Sequence, residues 1–121
     1  MNLGIGTAQF GLAYGISNRE GQTAPREVAD IIRFAREAGI TTIDTAHGYG
    51  NSEAVLGSTV PPGHPFRIVT KTPAFPARPV RPEDAAELER TFLISLERLR
   101  QRQVAGLLAH SADDLLAPGG D

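Results

Sequence analysis

Short β-like runs alternate with helical patterns along the chain, and this alternation constrains the fold more than any single residue does. Leu3 to Ala8, Thr41 to Thr45, Phe66 to Lys71 and Val104 to Ala109 are the candidate strands. The first is broken by Gly4 and Gly6, and the others are rich in Ile, Val, Leu and Thr, which suit a pleated surface. Between the first two, Val28, Ile31, Ile32 and Ala35 recur at i, i+3, i+4 and i+7. Thr23 reads as the N-cap of that helix, Pro25 and Glu27 as its first turn, and Gly39 as the residue just past its end. Before the fourth strand, Ala85, Leu88, Phe92, Leu96 and Leu99 predict the longest helix. It opens at Pro82, Glu83 and Asp84 and closes among Arg98, Arg100 and Arg102, a charge order that complements the helix dipole. A turn of helix from Ser52 to Leu56, ended by Gly57, joins the second and third strands. The order β-α-β-α-β-α-β predicts an α/β protein with a parallel four-stranded sheet and right-handed crossovers.

At 121 residues the chain is sized for one core, so residues 1–121 are expected to form a single domain. Pro73, Pro76, Pro79 and Pro82 recur every third residue, a spacing that fits polyproline II and reads either as a stiff loop or as a ligand for a proline-reading domain. Residues 112–121 lack an apolar period and are expected to fray, with Asp113 to Leu116 at most starting a helix. Twelve Lys and Arg against fourteen Asp and Glu leave no basic stripe, which argues against nucleic acid as a partner. No apolar run approaches the roughly 20 residues of a membrane span, so a membrane is not expected either. The absence of cysteine removes disulfides and thiolate metal sites and suits a reducing, cytoplasmic setting.

The candidate chemistry lies at the ends of the strands. Asp44, Lys71 and His110 each fall at or just beyond the C-terminal end of a different strand, and Tyr49 sits in the loop after the second. In parallel α/β barrels that face carries the active site. Singly, each has a structural explanation: a turn-capping Asp, a solvated Lys, a rim His and a Tyr anchoring a glycine loop. Four proton-handling side chains on one face are a different matter. Tyrosine, with an unperturbed pKa of about 10, is a poor proton source near neutrality, and an adjacent ammonium favours its anion. Lys71 could supply that ammonium with Asp44 holding it, while a neutral His110 can donate a hydrogen bond to a carbonyl oxygen. His47 reads either as an exposed loop residue or as a substrate-binding residue tuning choice of substrate. Three histidines without ligand spacing predict no metal.

These segments resemble the first half of the aldo-keto reductase family. Gly4-Ile-Gly-Thr-Ala-Gln9 with Tyr14-Gly15 is similar to its first strand and loop, and Asp44-Thr-Ala-His-Gly-Tyr49-Gly-Asn-Ser-Glu53 to its Asp-Thr-Ala, Tyr-Gly and Ser-Glu signature. Val69-Thr-Lys71 resembles its lysine strand, and Ser95-Leu-Glu-Arg-Leu99 with Leu107-Leu-Ala-His110 its helix and histidine strand. The resemblance implies a half (βα)4-type TIM-barrel fragment. It also implies Tyr49 as proton donor to a carbonyl, Lys71 and Asp44 as the pair supporting its acidity, and His110 as the group orienting the substrate oxygen. NADPH is the implied cofactor, met in this chain by a partial site of Gly6, Thr7 and Asp44.

Complete barrels of this class take about 250 residues and eight βα units, and this chain has four candidate units. In the family the groups that hold the cofactor phosphates come mainly from the second half. Gly4-Ile5-Gly6 does not extend to a Gly-x-Gly-x-x-Gly phosphate loop, because Gln9 holds its third position. Three readings follow. One is a carbonyl reductase on a small-molecule substrate, active when a homodimer or a half-barrel partner supplies the second half. Another is a cofactor-independent dehydratase, isomerase or cyclase using Tyr49, Lys71 and His110, and the last a catalytically silent remnant or binding module. Association is expected because Ile43, Ile68 and Leu108 are taken to face the uncovered barrel interior.

Overall fold

The structure is a computed structural model and describes residues 3–75 and 79–119. Pro76 of the proline run lies outside the described residues, as do Gly120 and Asp121 of the tail. Strands β1 (Gly4–Gly6), β2 (Thr42–Asp44), β3 (Arg67–Lys71) and β4 (Gly106–Leu108) pair in parallel, in chain order, in one sheet. Helix α1 (Ala8–Gly11) follows β1, and α2 (Pro25–Glu37), α3 (Ser52–Thr59) and α4 (Pro82–Leu99) complete the crossovers. A single turn, α5 (Ala112–Leu116), follows β4. The alternation thus builds the α/β, four-stranded parallel sheet of a partial barrel. The strands are shorter than their apolar runs, yet the ladder continues past them through Thr7 N to Asp44 O at 3.0 Å, Thr45 N to Val69 O at 2.9 Å and Ala105 N to Ile68 O at 2.7 Å.

Four local expectations change. Helix α2 is capped by Ala24, not Thr23, whose amide is spent on Gln9 O at 2.8 Å; Pro25 then starts the helix at the position where a missing N–H costs nothing. Helix α3 does not stop at Gly57 but runs to Thr59, and Gly57 marks a crossing. A Cβ there would stand 2.0 Å from Arg98 O, so only glycine lets α3 pack this closely on α4. The packed face of α4 is turned one position from the expected stripe: Asp84, Thr91, Ser95 and Leu99 are buried, Leu88, Phe92 and Leu96 are half-buried and Ala85 is exposed. Of the stretch expected to fray, Ala112–Leu116 form helix α5, with Ser111 Oγ accepting from Asp113 N, and beyond it Val80 N donates to Pro118 O at 2.9 Å.

The core lies under the helices. Val28, Ile32 and Ala35 of α2, Leu56 of α3 and Leu99 of α4 close over Ile43 and Ile68, joined by Phe10, Val60 and Phe66. Strand register places Ile5, Ile43 and Ile68 side by side, and alternation puts Thr70 and Leu107 on that same face. The other face carries Gly4, Gly6, Thr42, Asp44, Val69, Lys71, Gly106 and Leu108 and is open. Of the three residues expected to face that open side, Ile43 and Ile68 are buried beneath the helices, and only Leu108, 50% exposed, lies on it. The reason is parity: one step along a strand exchanges the faces, and the first two of these residues stand on the helix side. No helix of the described residues is long and apolar enough to cross a membrane.

Candidate active site

The loop from Thr45 to Asn51 presents Tyr49 above the end of β2, held by a turn in which Tyr49 N donates to Ala46 O at 3.1 Å and Ser52 N to Tyr49 O at 3.0 Å. Helix α1 braces this loop from beside it. Gly11 makes the contact feasible, since a Cβ there would lie 1.8 Å from Tyr49 O and 2.4 Å from Ser52 N.

Asp44 and Lys71 are carried on the open face by alternation in β2 and β3. The Lys71 ammonium donates to Asp44 Oδ1 at 2.9 Å, Asp44 Oδ2 at 2.8 Å and Thr45 O at 2.9 Å. Three N–H groups meet three acceptors, so the ammonium is fixed and its donors are committed. It lies over the Tyr49 ring, 5.0 Å from Nζ to the centroid. With its three donors committed, the ammonium meets Tyr49 through the ring face. His110, at the end of β4, is anchored by its backbone N–H to Thr72 Oγ1 at 3.1 Å. Its ring meets Tyr49 edge-on, with centroids 6.1 Å apart and planes at 74°. Asp44, Lys71, Tyr49 and His110 thus form one contiguous group at one end of the sheet.

The other residues singled out from sequence divide: Gly6 adjoins this group, while Thr7 and His47 make contacts away from it. Gly6 pairs with Asp44 across the sheet, and a Cβ on it would meet nothing within 4 Å, so this part of the open face is clear. Thr7 is fully buried, its hydroxyl donating to Asp44 O at 3.0 Å and accepting from Ser52 Oγ at 2.9 Å. It supports β2 from behind and does not reach the open face. The Nδ1 of His47 lies 3.4 Å from Arg98 Nη1 of α4 and 3.9 Å from Glu53 Oε2.

Sequence reasoning missed the layer beneath. Ser52 Oγ donates to Thr7 and lies 3.2 Å from Thr45 Oγ1, while Thr70 Oγ1 donates to Glu53 Oε1 at 2.7 Å. All of these side chains are buried at the C-terminal ends of β1, β2 and β3. Ser52 and Glu53 open α3, where such residues ordinarily serve the helix end in solvent, so nothing in their type announced burial. Among the described residues, no group of three or more His, Cys, Asp and Glu is arranged to hold a metal ion.

Comparison with known proteins bears on this geometry. The family model described as the aldo/keto reductase family matches residues 2–116. An uncharacterised oxidoreductase of Mycobacterium tuberculosis strain H37Rv is 36% identical over 80 residues, covering 64% of this chain and 24% of that protein. A Pseudomonas aeruginosa protein provisionally assigned to the aldo-keto reductases superposes with a TM-score of 0.75 at 33% identity, over 93% of this chain and 45% of that one. An aldo-keto reductase of Klebsiella pneumoniae, solved in complex with NADPH, superposes with a TM-score of 0.58 at 25% identity, over 71% of this chain and 29% of that one. The chain spans less than half the length of each of these relatives.

Proposed function

The chain belongs to the aldo/keto reductase family, and from that premise we propose that it carries the proton-handling side of a carbonyl reductase dependent on NAD(P)H. The observation supporting this is the grouping of Asp44, Lys71, Tyr49 and His110 on the open face. In this reading the Tyr49 hydroxyl gives its proton to the oxygen of a small carbonyl substrate. The fixed Lys71 charge favours the phenolate left behind, Asp44 and Thr45 O hold that charge in place, and the His110 ring orients the substrate oxygen. The Nδ1 of His47 stands beside Arg98 of α4, so any contact with substrate would come from the rest of its ring.

A nicotinamide, when bound, would supply the hydride; Gly6 and Asp44, adjacent on the open face, would line its site, and Thr7 is buried beneath them. The described residues offer one wall of a cofactor site. The remaining wall belongs to a second barrel half, whether from the same polypeptide, a second copy or another protein. Residues 1–121 alone are accordingly expected to bind NADPH no more tightly than about 1 mM, or about −4 kcal/mol.

Titration of the purified chain with NADPH and NADH by calorimetry, with a carbonyl-reduction assay, tests the reading. Micromolar binding by residues 1–121 would overturn the claim of a partial site. A Tyr49-dependent conversion without nicotinamide would replace reduction by cofactor-free acid–base chemistry. An unchanged rate in Tyr49→Phe would rule Tyr49 out as the proton donor.

A further inference from the structure

We infer that Glu53 is a positioning residue for the reaction proposed above, its buried carboxylate tying the Tyr49 loop to the Lys71 strand. The inference rests on that reading of Tyr49 and Lys71 for its chemical meaning, though not for its geometry. Glu53 is 1% exposed, and its two oxygens face different elements. Oε1 accepts from Thr70 Oγ1 at 2.7 Å, and Thr70 immediately precedes Lys71 in β3. Oε2 lies 3.9 Å from Arg98 Nη1 of α4 and 3.9 Å from Nδ1 of His47, which stands two residues before Tyr49. Arg98 Nη1 and His47 Nδ1 are themselves 3.4 Å apart. One carboxylate thus touches the strand that carries the ammonium, faces the loop that carries the phenol, and stands beside the arginine that flanks that loop.

A stability role alone explains this arrangement poorly. Burying a carboxylate is costly, and the cost is offset only when its lone pairs are matched; here Oε2 has no hydrogen-bond partner among the described residues. A side chain of similar volume without charge would fill the space at lower cost. What the charge adds is direction: it faces Arg98 of α4 and His47 of the loop at 3.9 Å each, while its other oxygen is held by Thr70 of the lysine strand. The first turn of α3 further favours a negative charge at this place.

The test uses the purified chain with Tyr14→Phe as background, which leaves Tyr49 as the single tyrosine of two. Glu53→Gln keeps the size and an acceptor for Thr70 while removing the charge. The inference expects amide exchange at residues 46–51 to quicken about tenfold relative to amides of α2, with the Tyr49 ring resonances shifted, and Glu53→Asp to recover part of both. A uniform rise in exchange across α2 and the loop, with the Tyr49 resonances unmoved, would overturn it. Should Glu53→Gln fail to fold, Arg98→Met removes the partner from the exposed side and is expected to give the same loop-selective change; its absence overturns the inference equally. In the presence of the second barrel half, Glu53→Gln is expected to lower kcat with little change in KM for NADPH. Failure of wild type to turn over any carbonyl would remove the reductase reading and leave the exchange result standing.

Discussion

Ile43 and Asp44 are neighbours in β2, yet the first is fully enclosed beneath α2 and α3 while the second lies on the open side, paired with Lys71. The whole sheet repeats this division. One face is sealed by Ile5, Ile43 and Ile68 and, toward the strand ends, by buried hydroxyls; the other carries glycines, Thr42, Val69, Leu108 and the charged pair. The covered face is where folding energy resides, each enclosed aliphatic side chain contributing about 1.5 to 3 kcal/mol. The open face contributes little to folding and presents the groups that can do chemistry. Between them lies the hydroxyl layer of Thr7, Ser52, Thr45 and Thr70, which transmits the rigidity of the first face to the second. If the division holds, substitutions should separate into those that change stability and those that change only activity.

The sharpest separation is expected at Tyr49. With the second barrel half present, Tyr49→Phe should lower turnover by about 10²- to 10⁴-fold, the usual contribution of a general acid, while the melting temperature of the chain stays within a degree or two of wild type. Steady-state kinetics and calorimetric melting, run on the same preparations, measure both. A melting temperature that falls as steeply as the activity would place Tyr49 among the structural residues and blur the two faces.

Ile43→Ala is expected to do the reverse, costing about 2 to 5 kcal/mol in urea unfolding because α2, α3 and the sheet all close on that side chain. Ser52→Ala belongs between the two faces. It removes a buried hydroxyl that donates to Thr7 and leaves the oxygens of Thr7 and Thr45 short of a partner, so about 1 to 3 kcal/mol should be lost. A cost near zero would mean that water replaces Ser52 and that the layer is not a rigid link.

The division was only half legible in the sequence. Alternation of strand-like and helical runs was enough for the parallel sheet, because period and residue type are local properties. The charged pair was legible for the same reason: Asp44 and Lys71 stand at strand ends, and parallel pairing brings such ends together. Face assignment was not, since Ile43, Ile68 and Leu108 are equally apolar and only register decides which side each occupies. The turn in α4 was hidden too, because its closest contact is set by Gly57 on another helix. Glu53 was visible as part of a motif, but its burial was not, because a glutamate in a first helical turn ordinarily serves the helix end and its buried contact is with Thr70, seventeen residues away in sequence.

The smallest effect on the chain itself is expected at Leu108, and it probes the openness of the second face most directly. Leu108 is half exposed in the edge strand β4, beside Lys71 in register, so trimming it removes little surface from the folded chain's core. Leu108→Ala should therefore change unfolding free energy by no more than about 0.5 kcal/mol. Docking is another matter. With Ile43 and Ile68 buried under the helices, Leu108 is the large aliphatic residue that the open face has to offer a second half-barrel. Burying its exposed half would contribute about 0.8 to 1.5 kcal/mol, so the same substitution should weaken association with that half by about four- to tenfold, whether the half is a second copy or another polypeptide. Light scattering across a concentration series reads the self-association case, and calorimetric titration with the separately produced half reads the other. A Leu108→Ala variant destabilised as much as Ile43→Ala would mean that Leu108 is already enclosed by its own chain. The two faces would then be alike, and the case for a docked second half on that surface would fall with the difference between them.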